Sequence, residues 1–389
     1  MLCKSLALRC IIVDLMKSLL YVLLTFFLFV LNSCTDAKQK TVIGQSLDYD
    51  SISIALDYPY LGFYYGSSSI YANDNDVFWA GYNHLAHSID IVSLTERQVV
   101  ESIALESEGP NAIYYNKVGS FVFNDSLIVF KDFSNTLTFY SRNQKSVCKK
   151  IALFESDENW SVHYIGVLPG QFSNSYGMKM YDNMLVLPVY SKTKPSMSDV
   201  LTTSVNIENN EIKHLDIVYP KEMDGDIGNY GSLTYPCLSL SSDRVVYNFP
   251  YSSRIYSYML ESGDTESLFM ESSMTGNRSE AKSNMEARDF RKHFDYEDMS
   301  LRFCEAFYDK YSDSYIRVHH DKKSSFDEDG KSYLMIYDCK TETSIEYSLP
   351  SSFSTRYYVA DGFIYFLLNN NQDDYLHFSA INIKTLLKS

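Results

Sequence analysis

The sequence predicts an all-β chain folded as a six-bladed β-propeller with four-stranded antiparallel blades. Three observations predict this fold: an Ile-Ala-Leu tripeptide recurs at nearly equal spacing, an aspartate in a turn precedes an apolar strand six times, and the composition is rich in Tyr (33) and Phe (23) but poor in Gly (16) and Pro (9). Aromatic residues favour strands. Four strands at a period of about 50 residues are the pattern of a propeller blade.

The tripeptide marks the outer strand of successive blades. It stands at 54–56, 103–105 and 151–153, each time at the end of an alternating apolar stretch. The turn that precedes the second strand carries Asp76, Asp125, Asp182, Asp243, Asp313 and Asp361. In the first five units another strand, a short polar turn and a fourth strand follow, so that six blades are predicted, the sixth incomplete.

The sixth unit lacks its own outer strand, because only six residues follow its third strand LHFSAINI. The amino-terminal stretch SISIALD, at 51–57, matches the outer strands of the first two units. We therefore expect this strand to close the ring, which removes the exposed edge that a linear array of sheets would present.

A leader precedes the propeller. Lys17 is followed by the apolar run 19–31 and then by Leu-Asn-Ser-Cys ending at Cys34. The run is shorter than the roughly 20 residues that span a bilayer but has the length of a signal-peptide core. Residues 1–33 are therefore predicted to be a signal peptide, with Met16 as an alternative start; one uncleaved signal anchor over 1–33 is the other interpretation.

Cys34 is the predicted site of lipid attachment, because its thiol would be the +1 acceptor of a lipobox. Two or three acyl chains hold a protein stably at a membrane, whereas one holds it marginally. Residues 34–48 are then the lipidated cysteine and its tether, and 49–389 are the propeller. The expected location is the outer membrane, facing the periplasm or the cell surface.

The net negative charge of the chain disfavours some classes of binding partner. Removing residues 1–33 takes away three basic residues and one acid, so the formal charge changes from −15 to −17. An acidic protein of this kind is not expected to bind nucleic acid, or a membrane except through its lipid. Cys148, Cys237, Cys304 and Cys339 lie far apart without metal-ligand spacing, so buried free thiols are favoured over disulfides.

The lipobox, the six aspartate–strand columns and the segment Glu108-Gly109-Pro110-Asn111 resemble a family of six-bladed β-propeller lipoproteins of Gram-negative gut anaerobes that carry a domain of unknown function. The resemblance covers about residues 45–389. It implies export and a propeller fold, and it implies no established reaction.

Function in a propeller usually lies on the face that carries the loops from each outer strand to the next inner strand, together with the loops between second and third strands. We call this the loop face. Aromatic and carboxylate groups there would suit a glycan or a peptide. The ligand-binding candidates are Trp160, His163, Asp224, Asp226, Asn229 and Tyr230, with Glu106, Glu108, Asn111, His84 and His87 on the same face.

Metal and nucleophile motifs are incomplete. Asp224-Gly-Asp226 and Asp327-Glu-Asp329 have the spacing of oxygen ligands for a hard cation but lack a completing bidentate glutamate, so acidic turns are favoured. His319 and His320 are neighbours in a strand and should point to opposite faces. The sequence has no Gly-x-Ser-x-Gly elbow. No metal, cofactor or catalytic residue is predicted.

The sequence leaves the function open between classes. A non-catalytic extracytoplasmic binding or interaction module is preferred. A propeller hydrolase acting on glycan or peptide is the alternative, because carboxylate pairs from different blades leave no linear signature. A sensor that signals to a membrane partner is the third interpretation. The insertion at 280–300 is the one helix candidate, and a solvated insertion is favoured over a lid.

Overall fold

Six small antiparallel sheets follow one another along the chain in a computed structural model of the protein. Each sheet is one blade, and its strands are paired in sequence order from the inner to the outer strand, except that the outermost strands of the last two blades come from the amino-terminal part of the chain. The structure describes residues 40–56, 65–114, 118, 120–131, 135–154, 160–162, 177–191, 196–227, 229–282, 290–326, 328–368 and 374–388.

The strand bounds agree with the predicted blades. The first three blades contain β3 (Tyr65–Ala72), β4 (Val77–Asn83), β5 (Ser88–Ser93) and β6 (Gln98–Ala104), then β7 (Ser120–Phe123), β8 (Leu127–Lys131), β9 (Thr136–Ser141) and β10 (Ser146–Ala152), then β11 (Trp160–Val162), β12 (Lys179–Tyr181), β13 (Met184–Ser191), β14 (Val200–Asn206) and β15 (Ile212–Val218). In blade three, β11 and β12 both pair with β13 and together occupy the inner position.

The other blades repeat this order. They contain β16 (Cys237–Leu240), β17 (Arg244–Asn248), β18 (Arg254–Met259) and β19 (Thr265–Phe269), then β20 (Arg302–Asp309), β21 (Ser314–His320), β22 (Ser332–Asp338) and β23 (Thr343–Ser348), then β24 (Phe353–Ala360), β25 (Phe363–Leu368) and β26 (Tyr375–Asn382). Two strands precede the blades in the chain, β1 (Lys40–Ile43) and β2 (Asp50–Ala55).

Burial follows position in the blade. The third strand of blade one, β5, is buried at every residue, because sheets cover both of its faces. The outer strand β6 instead alternates. Gln98 and the two neighbours of Glu101, Val100 and Ser102, are exposed, whereas Ile103 is buried. The aspartates stand in the turns between first and second strands, and Asp182, Asp313 and Asp361 adopt positive φ there. Aspartate tolerates that conformation better than most residues.

The predicted ring closure is confirmed. Strand β2 pairs antiparallel with β26, with Ile52 opposite Phe378 and Ile54 opposite Leu376. Ile54 is fully buried and Ile52 nearly so. Both pack with Trp79 of blade one and Phe378 of blade six. The first strand of the ring therefore completes its last blade.

The hydrophobic core is divided into six clusters, one at each interface between neighbouring blades. This division follows from the architecture, since each sheet buries its two faces against the sheets on either side. No blade has a core of its own, so a blade depends on both neighbours for burial.

The amino-terminal segment departs from the expected tether. Residues 40–43 form β1, which adds a fifth strand to the outer edge of blade five beside β23. Gly44 N–H donates to the Glu346 carbonyl at 2.8 Å, and a Cβ at Gly44 would meet the Tyr347 ring at 2.0 Å. Since Val42 and Ile43 stay half exposed, backbone pairing holds this strand more than side-chain burial does.

Part of the insertion between blades four and five is packed, whereas the sequence favoured a solvated insertion; Glu280 and Lys282 of the same insertion are exposed. It contains helix α1 (Phe290–Met299), on which Tyr296 and Glu297 are buried. Tyr296 OH donates to the Glu280 carbonyl at 2.8 Å, and Ser232 Oγ donates to Glu297 Oε2. A second helix, α2 (Ile383–Leu386), follows β26, and short 3-10 turns cover Lys221–Met223 and Gly231–Thr234.

The four cysteines in the described part of the chain are free thiols, as expected. Cys237 is buried and Cys304 and Cys339 are partly buried, but Cys148 is exposed, because it stands on the outer strand β10 of blade two. Within the described residues, none of the helices is both long and apolar enough to cross a membrane.

Candidate functional site

A polar cluster on the loop face joins two loops that are far apart in sequence. Asp226, Asn229 and Tyr230 lie between blades three and four, and Arg278 lies in the insertion between blades four and five. Asn229 Nδ2 donates to Asp226 Oδ1 at 3.2 Å, and Arg278 Nη2 lies 3.6 Å from Asp226 Oδ2. The structure therefore brings three of the predicted residues together and adds an arginine. We call these four residues the loop-face cluster.

Tyr230 forms the base of this cluster. Its ring is 1% exposed and stacks on Tyr251 with centroids 4.3 Å apart. Its hydroxyl accepts hydrogen bonds from Arg278 Nε at 2.9 Å and Nη2 at 2.6 Å. The ring is therefore covered, and it positions the guanidinium instead of offering a face on which a ligand could stack.

The groups that remain accessible are charged. Arg278 and Asp226 keep 47% and 41% of their side-chain surface exposed, and Asp224 is exposed at the start of the same turn. Hydrogen bonds to Tyr230 raise the pKa of Arg278 against the opposing effect of burial. The fixed guanidinium can donate to a carbonyl or carboxylate, and the two carboxylates beside it can accept from hydroxyl or amide groups.

Other predicted residues are distributed around the loop face. His87 is held by Tyr82 OH at 2.7 Å from Nδ1, and burial lowers the pKa of His84. Asn111 Oδ1 accepts from Val147 N–H at 3.2 Å, which is a structural role, while Glu106 and Glu108 are exposed.

Trp160 and His163 are the two remaining candidates. Trp160 begins β11, the upper part of blade three's inner strand, where its backbone pairs with Ser191. His163 lies outside the described residues, as do Cys34 and Asp327. Among the residues that the structure describes, no three His, Cys, Asp or Glu side chains converge as metal ligands do.

The centre of the ring contains an ion pair that the sequence did not reveal. Lys179 on β12 and Glu305 on β20 are 2.6 Å apart between Nζ and Oε1. Burial raises the pKa of Glu305 to about 7, although Lys179 opposes the shift. A buried acid with such a pKa is a candidate proton donor.

The described acids of the inner strands offer Glu305 no catalytic partner. Asp309, at the far end of β20, accepts from Ser312 N–H at 2.8 Å and from Gly362 N–H at 3.2 Å, so both of its oxygens are engaged in a turn. Lys179 and Glu305 instead connect blades three and five across the inner strand of blade four.

A cleft of about 310 Å³ opens between blades four and five, lined by Tyr308, Tyr315 and Arg244 among others. The Arg244 guanidinium lies 4.0 Å above the Tyr308 ring and donates to Tyr315 OH at 3.1 Å. Its remaining hydrogen bonds go to Asp243, with Nη2 2.7 Å from Oδ2. Arg244 is therefore satisfied within the protein.

The sheets, their order and the closed ring define the class of protein: the chain is a six-bladed β-propeller. A family model described as a domain of unknown function, DUF4221, matches residues 46–340. The chain belongs to this family. The six-bladed fold and the family with a domain of unknown function, both expected from the sequence, are thereby confirmed.

Two solved structures share the fold. A DUF4221 family member from Bacteroides vulgatus is 16% identical, with a TM-score of 0.65 over 86% of this chain and 97% of that chain. A Bacteroides fragilis protein to which export has been attributed is 11% identical, with a TM-score of 0.50 over 88% of this chain and 98% of that chain. At these identities the likeness shows the fold alone. A comparison with curated proteins found no match.

Proposed function

We propose that the chain is a lipid-anchored, extracytoplasmic binding module that recognises a peptide or glycan on its loop face without a covalent step. The observation that carries this proposal is the loop-face cluster. Its Arg278 and Asp226 are exposed, opposite in charge and fixed on a buried aromatic base. Groups fixed in this way lose little conformational entropy when a ligand binds.

The ring centre supports the same interpretation. A two-carboxylate hydrolase needs a second acid about 5–10 Å from the first. In the described inner strands Glu305 is paired with Lys179, and Asp309 is used in a turn. The Lys179–Glu305 ion pair on the inner strands therefore connects blades three and five.

Export and lipid attachment rest on the leader. The apolar run 19–31 followed by Cys34 is typical of a lipoprotein signal. Export attributed to the Bacteroides fragilis neighbour agrees with it. We place the protein at the outer membrane, with the propeller in the periplasm or at the cell surface.

The test is binding of the soluble 35–389 chain to glycan and peptide arrays. Arg278→Ala should weaken binding at least tenfold, because it removes the cation held by Tyr230. The matched control is Arg97→Ala: Arg97 has 49% of its side chain exposed and also pairs with an acid, Asp50, at 2.6 Å, but it stands in a turn on the opposite face. Equal effects of the two substitutions would contradict the assignment of the site.

The hydrolase remains the second candidate because of one observation, the raised pKa of Glu305. In that case Glu305 would act as general acid, and Glu305→Gln would abolish product formation while leaving ligand binding nearly unchanged.

A further inference from the structure

The interface between blades four and five contains less apolar packing than the other five interfaces. In the described part of the chain its core cluster has six buried apolar residues, namely Val246, Ile255, Met270, Ala306, Tyr315 and Met335. Each of the other clusters has eleven or more. Sheet interfaces are normally filled at high density, but part of this one is open as the cleft of about 310 Å³. That volume is within the range of small-ligand sites.

The cleft lies in the half of the interface that is nearest the aspartate turns. Arg244 begins β17 directly after Asp243, Asp313 directly precedes β21, and Tyr308 is one residue from the end of β20. Arg278 instead lies in the insertion that joins β19 to β20, at the opposite ends of these strands. The cleft is therefore separate from the loop-face cluster.

The two walls of the cleft differ in chemistry. On the side of blade five, the ring of Tyr315 lies 5.2 Å from Tyr308 and 6.4 Å from Tyr337 between centroids, with interplanar angles of 50° and 43°. These three rings, which we call the tyrosine row, stand side by side on one wall. Blade four faces them with the polar side chains of Ser257, Glu266 and Ser267.

The protein itself fixes two rings of the tyrosine row and leaves polar groups available beside them. Tyr308 OH donates to Asp313 Oδ1 at 3.0 Å, and Tyr315 OH accepts from Arg244 Nη1 at 3.1 Å. The side chains of Tyr337 and Glu266 form no hydrogen bond with another residue in the described part of the chain, and both are at least partly exposed. The cleft therefore combines a fixed aromatic wall with one available hydroxyl and one available carboxylate.

The charges of the cleft disfavour an anionic ligand. Arg244 is already paired with Asp243, with Nη2 2.7 Å from Oδ2. Glu266 and Asp313 then give the lining an excess of acidic groups. Such a lining repels carboxylates and phosphates, whereas hydroxyl groups can donate to its oxygens.

We propose that this cleft is a second binding site, which takes a neutral sugar ring whose C–H face stacks on the tyrosine row and whose hydroxyls donate to Glu266 and accept from Tyr337. A quaternary ammonium would instead be enclosed by aromatic rings on several sides. An aromatic wall opposite a polar wall matches the apolar face and the polar edge of a pyranose. The site depends neither on the loop-face cluster nor on lipid attachment.

The experiment titrates the soluble 35–389 chain with the methyl glycosides of glucose, galactose and mannose, and with methyl glucuronide as their acidic counterpart. Saturation-transfer NMR measures affinity. Alkylation by iodoacetamide, quantified by mass spectrometry, measures location, because Cys339 lines the cleft and the exposed Cys148 of blade two is an internal reference. Burial raises the pKa of Cys339 to about 12, so the alkylation is carried out at alkaline pH.

A neutral glycoside should slow the alkylation of Cys339 at least twofold and leave that of Cys148 unchanged. Glu266→Gln should weaken binding of that glycoside about tenfold, because it removes a charged acceptor. Glu261→Gln is the matched control, since Glu261 is also an exposed acid of blade four but stands in the turn before β19, away from the lining. This control and Arg278→Ala on the loop face should both leave the affinity unchanged.

Three results would overturn the sugar site: protection of Cys339 by none of the neutral glycosides, tighter binding of the glucuronide, or equal effects of Glu266→Gln and Glu261→Gln. Loss of glycoside binding in Arg278→Ala would also overturn it, because the sugar would then bind on the loop face. Array binding tests the loop face on its own, so failure at one site is distinguished from failure at the other.

Discussion

Lys179 of blade three and Glu305 of blade five form a 2.6 Å ion pair across the inner strand of the blade between them. Glu305 is nearly inaccessible, whereas Lys179 keeps 19% of its side chain exposed. Removing one partner from such a pair leaves an uncompensated charge in a poorly solvated place. The pair therefore has consequences for stability whether or not the ring centre takes part in chemistry.

The raised pKa of Glu305 predicts a pH dependence of folding. Its folded pKa of about 7 is above the ordinary value of 4.5, so its contribution is fully present below pH 4.5 and is lost as the pH rises through 7. Between pH 5.5 and 8 the free energy of unfolding should fall by about 2 kcal/mol from this group.

Urea unfolding at the two pH values measures this loss, and Glu305→Gln should remove that part of the pH dependence. The difference between the two pH profiles therefore reports the Lys179–Glu305 pair. Parallel pH profiles for the two proteins would refute the assignment.

Ring closure predicts unequal effects of two amino-terminal substitutions. Ile54→Ala empties a fully buried position between blades six and one and should cost about 2–5 kcal/mol. Val42→Ala changes a side chain that is 43% exposed on β1 and should cost less than about 0.5 kcal/mol. Chemical denaturation compares them, and similar losses would show that β2 does not close the ring.

Lipid attachment predicts that Cys34→Ala blocks both acylation and processing, because the thiol is the acceptor beside the cleavage site. Cells fed radiolabelled palmitate should label the parent chain and not the variant, which should accumulate as precursor. Cys148→Ser is the control, since this exposed thiol lies on the propeller. Normal labelling of Cys34→Ala would exclude the lipoprotein assignment.

The parts of the fold that repeat could be predicted from the sequence. Ile54, Ile103 and Ile151 each end an outer strand and are buried against a neighbouring blade, and this common environment produces the recurring tripeptide. Strand β1 was not predicted, because four residues on an outer edge with Val42 and Ile43 both exposed carry no alternating pattern.

The site could be predicted only in part. Asp226 and Tyr230 were found because they share one turn, but Arg278 is 48 residues from Tyr230 and reaches it through an insertion of irregular sequence. Lys179 and Glu305 come from blades that are not neighbours, so no local spacing relates them. The stacking of Tyr230 on Tyr251, which removes it as a ligand contact, likewise depends on packing between loops.

The central claim is recognition without chemistry, and product analysis on ligands captured by the soluble 35–389 chain tests it most directly. Each captured glycan or peptide is incubated with the parent chain, Glu305→Gln and Asp226→Asn, and is then analysed by mass spectrometry. We expect every ligand to be recovered intact from all three proteins, with weaker capture by Asp226→Asn alone. Cleaved product from the parent chain that disappears with Glu305→Gln would contradict the account and establish a hydrolase.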